Sequence, residues 1–189
     1  FTHMPGIKVV CPSNAYDAKG LLIASIEDPD PVLFLEPMRL YRGTRQDVPV
    51  DKYAVEIGKG SYVKEGEDVS IFAWGAMVPV AKKAARDMEA EGISADVIDL
   101  RTLYPLDKHI IAESVQKTGR AIIVHEAHAT GGVGSEVASI INDTSFLYLK
   151  SPIERVTGFD VPVPLFSIEH DYLPTPERVK AAIKKVVEF

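Results

Sequence analysis

The chain has 189 residues, of which 46% are hydrophobic and 25% are charged, and its formal net charge is −6. These values are typical of a globular protein with a buried core, and the acidic balance without a basic cluster argues against nucleic acid as a partner. The longest apolar runs are too short to cross a membrane, and the single cysteine, Cys11, excludes an internal disulfide framework and favours a cytoplasmic location.

The first forty residues predict a strand, a helix and a second strand. Ile7–Val10 forms a short apolar run, and the apolar spacing over Asp17–Glu27 is helical. Val32–Leu35 is again typical of a strand. From Glu36 to about Gly60 the sequence is rich in charge, proline and glycine and has no sustained period, which indicates a linker and a domain boundary.

Beyond Gly60, strands and helices alternate regularly. The apolar runs predict strands over Val69–Trp74, Asp96–Leu100, Ala121–Val124 and near Arg155–Thr157. The helical periods predict helices over Val78–Glu91, Asp107–Gln116, Gly134–Ile141 and Thr175–Val187. Gly92 and Gly119 are placed to cap two of these helices at their C-termini, and Thr175 to cap the last at its N-terminus. Repeated units of this kind predict an α/β fold with a doubly wound, mostly parallel sheet.

The stretch RAIIVHEAHATGGVGSEVASI, residues 120 to 140, combines a strand, a glycine-rich turn and a helix. Many proteins hold a phosphate with this arrangement. However, Gly131, Gly132 and Gly134 lack the Lys-Ser/Thr ending of a P-loop, and Val137 stands where G-x-G-x-x-G requires its third glycine. The alternative is that the glycines allow a tight turn and close packing.

Two further clusters are open to a metal-binding interpretation. His125, Glu126 and His128 could form a zinc site, although alternation along a strand would direct residues 125 and 128 to opposite faces. The acidic residues at positions 27–30 could hold a hard cation together with free helix carbonyls, but such a cluster is most often a solvated turn. No serine lies in a nucleophile elbow, which argues against a hydrolase.

Two groups of motifs resemble the beta subunit of thiamine-diphosphate-dependent 2-oxo acid dehydrogenases, of the pyruvate or the branched-chain type. The run HMPGIKVVCPSNAYDAKGLLIASIEDPDPVLFLEPMRLYRG is similar to the end of their pyrimidine-binding domain. The later runs DVIDLRTLYPLDKHII, KTGRAIIVHEAHATGGVGSEVAS, VTGFDVPVPL and YLPTPERV are similar to their transketolase C-terminal domain. The resemblance implies a pyrimidine-domain remnant over 1–42, a linker over 43–60 and a transketolase C-terminal-like domain over 61–189.

The resemblance also implies the chemistry of the parent protein. Such enzymes are heterotetramers in which thiamine diphosphate and magnesium, shared with the alpha subunit, support oxidative decarboxylation and transfer of the acyl unit to a lipoyl group. The family's activating glutamate and its catalytic histidine lie upstream of Phe1, so this chain is expected to hold no catalytic or cofactor-binding residue and to be inactive alone. His3 belongs to an H-x-P-G motif and is weighed only as a substitute base.

A cation site is implied by the resemblance at the acidic turn. It would be of the potassium type and would be built from Ser25, Ile26, Asp28 and Asp30, largely through backbone oxygens. A helix C-terminus leaves carbonyl groups unsatisfied, and these can converge on a cation.

Two protein contacts are implied as well. A second beta subunit would pack near Gly131–Ile141 and Leu100–Pro105, which makes a homodimer the expected state. The subunit-binding domain of the acyltransferase would dock at Glu154, Glu188 and the terminal carboxylate of Phe189, steered by opposite charge.

The sequence leaves the choice between pyruvate and branched-chain substrates open. It also leaves two alternative functions. One is a portion of transketolase or of deoxyxylulose-phosphate synthase, which share the same superfold, and the other is a non-catalytic assembly domain.

Overall fold

The computed structural model describes residues 1–43 and 45–189. Within them the strands are β1 (Lys8–Val10), β2 (Val32–Phe34), β3 (Ser61–Lys64), β4 (Val69–Ala73), β5 (Ala95–Asp99), β6 (Thr102–Tyr104), β7 (Ala121–His128) and β8 (Glu154–Gly158). The α-helices are α1 (Ala15–Glu27), α2 (Met77–Glu89), α3 (Lys108–Thr118), α4 (Val133–Ser145), α5 (Glu169–Tyr172) and α6 (Pro176–Val187). None of these described helices has the length and apolar character needed to span a membrane.

The larger sheet has the strand order β3-β5-β4-β7-β8. Strands β5, β4, β7 and β8 are parallel, and only the edge strand β3 is antiparallel. Helices α2 and α6 pack on one face over Ile71 and Val97, while α3 and α4 pack on the other over Phe72 and Ile98. Every residue of β4 and β5 is buried, as expected for strands covered on both faces. The predicted doubly wound, mostly parallel α/β fold is confirmed.

The smaller sheet joins the two parts of the sequence. Its order is β2-β1-β6, with β1 parallel to β2 and antiparallel to β6. Strand β6 comes after the larger sheet has begun, yet its Tyr104 lies opposite Val9 and its Thr102 opposite Val10. The sequence pattern predicted neither β6 nor β3, because each is only three or four residues long and gains its partner from a distant part of the chain.

Element boundaries shift where tertiary pairing extends them. Strand β7 continues to His128, beyond the predicted end at Val124, because it pairs with β8 again at Gly158 after an irregular register. Gly119 caps α3 in the left-handed conformation (φ 74°), and the Thr175 side chain accepts the Arg178 N–H at the start of α6, as predicted. Gly92 was predicted to cap α2 and does have a left-handed backbone conformation. However, α2 ends at Glu89, three residues before this glycine.

The described part of the segment 43–60 packs on α1 without forming a regular element. The Val55 N–H donates to the carbonyl of Gly20 at 3.1 Å, and the Tyr53 ring stacks on Tyr16 with centroids 4.4 Å apart. A side chain at Gly20 would collide with both, since a Cβ there would lie 2.4 Å from Val55 Cγ2. Glycine is therefore required in the middle of this helix by close packing.

Candidate functional site

The residues that follow β1 meet the carboxyl end of β5 at a seam between the two sheets. The Cys11 N–H donates to the Arg101 carbonyl at 2.7 Å, and the Leu100 N–H donates to the Ala73 carbonyl at 2.9 Å. The carboxyl ends of parallel strands are where open α/β sheets place their functional groups. We call this region, formed by Ser13, Asn14, Asp17, Asp99 and Arg101, the seam.

Asp99 is the buried centre of the seam. Its carboxylate accepts hydrogen bonds from the Ser13 hydroxyl and, at 2.9 Å, from the Arg101 N–H. Burial raises the pKa of Asp99 to about 7, against the opposing effect of these two hydrogen bonds. Asp17 adds a further raising effect through its negative charge. The side chain is therefore a carboxyl group that titrates near neutral pH inside the protein.

Arg101 forms the charged half of the seam. Its Nε donates to Asp17 Oδ2 at 3.0 Å, and its Nη2 lies 2.8 Å from Asp17 Oδ1. Asn14 Nδ2 donates to the same carboxylate at 2.6 Å. Asp17 is only 1% exposed, and Arg101 takes a left-handed backbone conformation (φ 56°) that non-glycine residues rarely adopt. The turn after β5 is thus held in an unfavourable conformation that brings the guanidinium to α1.

The stability of the seam is expected to depend on pH through Asp99. The pKa of Asp99 is raised from 3.8 to about 7 in the folded protein. The stabilisation that comes from protonated Asp99 is therefore complete below its pKa in the unfolded chain, and it is lost as the pH rises through its pKa in the folded chain. Asn in place of Asp99 removes this loss. The unfolding free energy of Asp99→Asn relative to the unchanged chain should therefore rise by up to about 1.4 kcal/mol per pH unit between roughly pH 4 and 7.

Urea denaturation at a series of pH values measures this difference. The matched control is Asp143→Asn, which removes an exposed carboxylate and should give a difference that stays nearly constant over the same range. Parallel curves for Asp99→Asn and the unchanged chain would contradict the assignment.

His125 occupies the glycine turn that the sequence left open to a phosphate. Its ring is 1% exposed and stacks on Trp74 with centroids 5.1 Å apart. A Cβ at Gly134 would lie 2.6 Å from His125 Nε2, and a Cβ at Gly132 would lie 3.0 Å from His125 Cε1. The glycines therefore make room for the imidazole ring, which supports the packing interpretation of this turn.

The chemistry of His125 is that of a neutral core residue. The pKa of His125 is lowered to about 4, mainly by burial and secondly by the positive charge of Arg155. Neither nitrogen of the His125 ring has a hydrogen-bond partner among the described residues. His128, at the end of β7, is exposed. In residues 1–43 and 45–189, no three His, Cys, Asp or Glu side chains come together as a metal-binding group.

At the acidic turn, a lysine of the chain itself meets the carboxylates. Lys8 Nζ lies 2.7 and 2.8 Å from the two Asp28 oxygens and 3.1 Å from Asp30 Oδ2. The Lys8 hydrogen bond lowers the pKa of Asp28. The Ser25 hydroxyl donates to the Leu21 carbonyl at 2.7 Å. The Lys8 ammonium thus already occupies the position at which a cation would meet the two carboxylates.

The residues expected to receive the acyltransferase lie at one end of the C-terminal helix. Glu154, at the start of β8, pairs with Lys185 of α6 at 2.6 Å. Glu188 caps α6, and Phe189 is 79% exposed. The structure therefore brings Glu154 to the helix that precedes the terminal carboxylate, where it pairs with a lysine of that helix.

His3 lines a cavity of about 660 Å³ together with both segments expected at the subunit contact. Tyr104 and Pro105 contribute from one segment, and Gly131 to Val133 from the other. Leu100 belongs to the buried core instead and is not available for an intermolecular contact. Among the described hydrogen bonds, none joins His3 to a residue of the seam.

The seam was not identified from the sequence. Asp99 and Arg101 were visible as the polar residues that follow a buried strand, in the run VIDLR, and such positions often carry function. Asp17 and Asn14 were visible at a helix N-terminus. Their association depends on the two parts of the chain meeting, which no local pattern reports.

Comparison with protein families places two known domains on this chain. Residues 58–179 match the model described as transketolase, C-terminal domain. Residues 1–44 match the model described as transketolase, pyrimidine binding domain.

Curated relatives align with nearly the whole chain. It is 50% identical over 187 residues to "Pyruvate dehydrogenase E1 component subunit beta" of Bacillus subtilis, with 99% of this chain and 58% of that protein covered. It is 47% identical over 188 residues to the protein of the same name from Acholeplasma laidlawii, covering 100% and 58%. It is 47% identical over 189 residues to "2-oxoisovalerate dehydrogenase subunit beta 2, mitochondrial" of Arabidopsis thaliana, covering 100% and 52%. The chain spans about half the length of the curated relatives it matches.

Solved structures share the fold. "Split gene transketolase, inactive beta4 tetramer" superposes with a TM-score of 0.80 at 29% identity, covering 99% of this chain and 59% of that one. A transketolase from Pichia stipitis superposes with a TM-score of 0.65 at 17% identity, covering 99% and 26%. The second similarity is one of fold alone.

Proposed function

The chain belongs to the transketolase C-terminal domain family, and from that premise we propose that it is part of the beta subunit of a 2-oxo acid dehydrogenase decarboxylase. The observation that carries the proposal is identity of 47–50% along nearly the whole chain to beta subunits of pyruvate and 2-oxoisovalerate dehydrogenases. The intact enzyme would decarboxylate pyruvate or a branched-chain 2-oxo acid and transfer the acyl unit to a lipoyl group. We propose a cytoplasmic location for it, which suits a chain with one buried free thiol, Cys11.

In this enzyme, thiamine diphosphate with magnesium would supply the electron sink for loss of carbon dioxide. The glycine turn that resembles a phosphate cradle does not fit the diphosphate, because it is filled by the His125 ring. No catalytic step is therefore assigned to this chain. We propose that the cofactor is held by the alpha subunit and by the part of the pyrimidine domain that precedes Phe1, and that this chain contributes to assembly.

An activity assay distinguishes the proposal from its alternatives. The intact beta subunit, assembled with its alpha subunit and thiamine diphosphate, is supplied with pyruvate, 3-methyl-2-oxobutanoate or a transketolase substrate pair. We expect carbon dioxide to be released from one of the two 2-oxo acids and no ketol transfer. Ketol transfer without decarboxylation would establish the transketolase alternative, which the split-gene neighbour represents. Inactivity with every substrate would favour the non-catalytic assembly domain.

We propose that a second copy of the beta subunit packs against this chain. The support is that Tyr104, Pro105 and the turn from Gly131 line one cavity together, and that a structural neighbour is described as a beta4 tetramer. Sedimentation of the purified chain tests it. A dimer or higher oligomer is expected, and a monomer at high micromolar concentration would contradict the proposal.

Docking of the acyltransferase is expected to depend on the end of α6. We expect Glu154→Gln, and separately a neutral extension after Phe189, to weaken binding of the partner's basic subunit-binding domain by roughly two- to fivefold, since partly exposed ion pairs contribute less than about 1 kcal/mol each. Calorimetric titration of the assembled enzyme at low and high salt measures this. Glu113→Gln, which removes an exposed charge on α3, is the matched control. If neither salt nor either of the two changes affects the binding, this site is excluded.

Potassium binding is expected to compete with Lys8. The proposed site uses backbone oxygens of Ser25 and Ile26 with Asp28 and Asp30, and the Lys8 ammonium already contacts both carboxylates. Lys8→Met should therefore increase the rise in melting temperature that potassium chloride produces over choline chloride at equal ionic strength. Lys52→Met, which removes another exposed lysine beside this helix end, is the control. An equal response of all three proteins would contradict the site.

A further inference from the structure

A second cleft lies beside the seam, and its charged side chains are mostly cationic. It has a volume of about 860 Å³ and lies between α2, the N-terminus of α1 and the loop that carries Arg45. Five cationic side chains line it: Arg45, Lys82, Lys83, Arg86 and Arg101. Two carboxylates, Asp17 and Asp87, line it as well. The cleft thus has an excess of positive charge in a chain whose net charge is −6.

The carboxylates of the cleft are already paired. Asp17 is bound by Arg101 at 2.8 Å, and Asp87 lies 3.2 Å from Lys83. Among the described residues, Arg45, Lys82 and Arg86 have no carboxylate within ion-pair distance, so three positive charges remain for a ligand. Charges of one sign along a concave surface focus the electric field and concentrate ions of the opposite sign there.

The arrangement of the cations favours phosphate groups over isolated anions. Lys82 and Arg86 are one turn apart on α2, so their side chains project on the same face of a rigid helix. Arg45 lines the cleft from a separate element, the loop where Gln46 Oε1 accepts the N–H of Tyr16 at 3.4 Å. Guanidinium groups bind pairs of phosphate oxygens through two parallel hydrogen bonds. Three cations on two elements match a ligand with several adjacent phosphates.

The size of the cleft favours a small molecule over a protein segment. Its volume lies within the range of about 300–1,000 Å³ that is common for small-molecule sites. Ser13 and Asn14 line it at the α1 terminus, where their side chains are bound to Asp99 and Asp17 and fix the wall of the cleft. From these observations we propose that this cleft is a binding site for a polyphosphate group, carried by a nucleotide or by an inorganic polyphosphate.

The site would connect ligand binding to the seam. Arg101 lies both in the cleft and in the ion pair with Asp17 that joins α1 to the turn after β5. A ligand that bridges α2 and the α1 terminus would hold the two parts of the chain together. Binding should therefore raise the melting temperature of the protein, because a ligand that binds only the folded state stabilises it.

Calorimetric titration of the intact protein with tripolyphosphate tests the proposal. The protein is assembled with its alpha subunit and saturated with thiamine diphosphate and magnesium, so that the probe cannot enter the cofactor site. Saturable binding is expected, and it should weaken strongly when sodium chloride is raised from about 50 to about 300 mM, because salt screens partly exposed charges. Adenosine triphosphate is titrated in parallel, and tighter binding than tripolyphosphate would identify a nucleotide as the source of the phosphates.

Variants assign the binding to this cleft. The double change Lys82→Ala/Arg86→Ala is expected to weaken tripolyphosphate binding at least tenfold. The conservative Arg86→Lys keeps the charge but loses the paired hydrogen bonds, and a loss of a few fold is expected. Lys59→Ala removes an exposed lysine that does not line the cleft and should change binding less than twofold.

Three outcomes would overturn the proposal: no saturable binding of either polyphosphate, equal binding by the double variant and the unchanged protein, or tighter binding of a hexaglutamate peptide than of tripolyphosphate. The last would identify the cleft as a surface for an acidic protein segment. Circular dichroism of the double variant confirms that its fold is retained, so that a loss of binding is assigned to the missing cations.

Discussion

Replacing Arg101 by alanine is expected to lower the free energy of unfolding by about 3–5 kcal/mol, the usual cost of removing one partner of a buried ion pair. The change leaves the carboxylate of Asp17, which is 1% exposed, with only Asn14 as a donor. It keeps the left-handed backbone at position 101, because alanine is no better suited to that conformation than arginine. Equilibrium unfolding in urea, with the purified chain, measures the loss.

A second substitution distinguishes the uncompensated charge from lost packing. Asp17→Asn removes the charge, keeps the size of the side chain and retains one oxygen that can accept from Asn14 Nδ2. The double variant Arg101→Ala/Asp17→Asn should therefore regain a large part of the lost stability. Arg155→Ala serves as the matched control, since this arginine is exposed and its bonds are to Ser135 and the Ala129 carbonyl. A single variant no less stable than that control would show that the seam ion pair contributes little to the fold.

Replacing Gly134 by valine is expected to destabilise the protein by roughly 2–3 kcal/mol through overpacking. A Cβ at this position would lie 2.6 Å from His125 Nε2 and 2.8 Å from His125 Cδ2. The imidazole cannot move aside readily, because it is buried and stacked on Trp74. The measurement is the urea midpoint with the slope held in common.

Removing the ring should relieve the collision. His125→Ala alone creates a cavity and is itself destabilising, but in combination with Gly134→Val the added methyl groups fill part of that space. The double variant is therefore expected to be more stable than the sum of the two single changes predicts. Gly43→Ala, where the nearest atom to a Cβ is 3.4 Å away, should change stability little. Strict additivity of the two changes would show that ring and glycine are not in contact.

The sequence by itself determined the class of fold and the family. Long apolar runs such as Val69–Ala73 have no polar alternation, so they must be covered on both faces, and the helical periods between them supply the cover. Caps such as Gly119 and Thr175 acted through local chemistry and were predicted correctly. The motifs that carry the resemblance are continuous stretches, which is why they were readable without a structure.

The tertiary structure alone decided which distant residues meet. Strand β6 is too short to show a period and exists because β1 offers it an edge. No sequence pattern singled out Lys8, yet its ammonium group contacts Asp28 and Asp30 at the proposed potassium site. The pairing of Asp17 with Arg101 spans 84 positions, and the raised pKa of Asp99 follows from its burial between the two sheets. Burial and long-range pairing are properties of the folded chain, because they depend on groups that no local window of sequence contains.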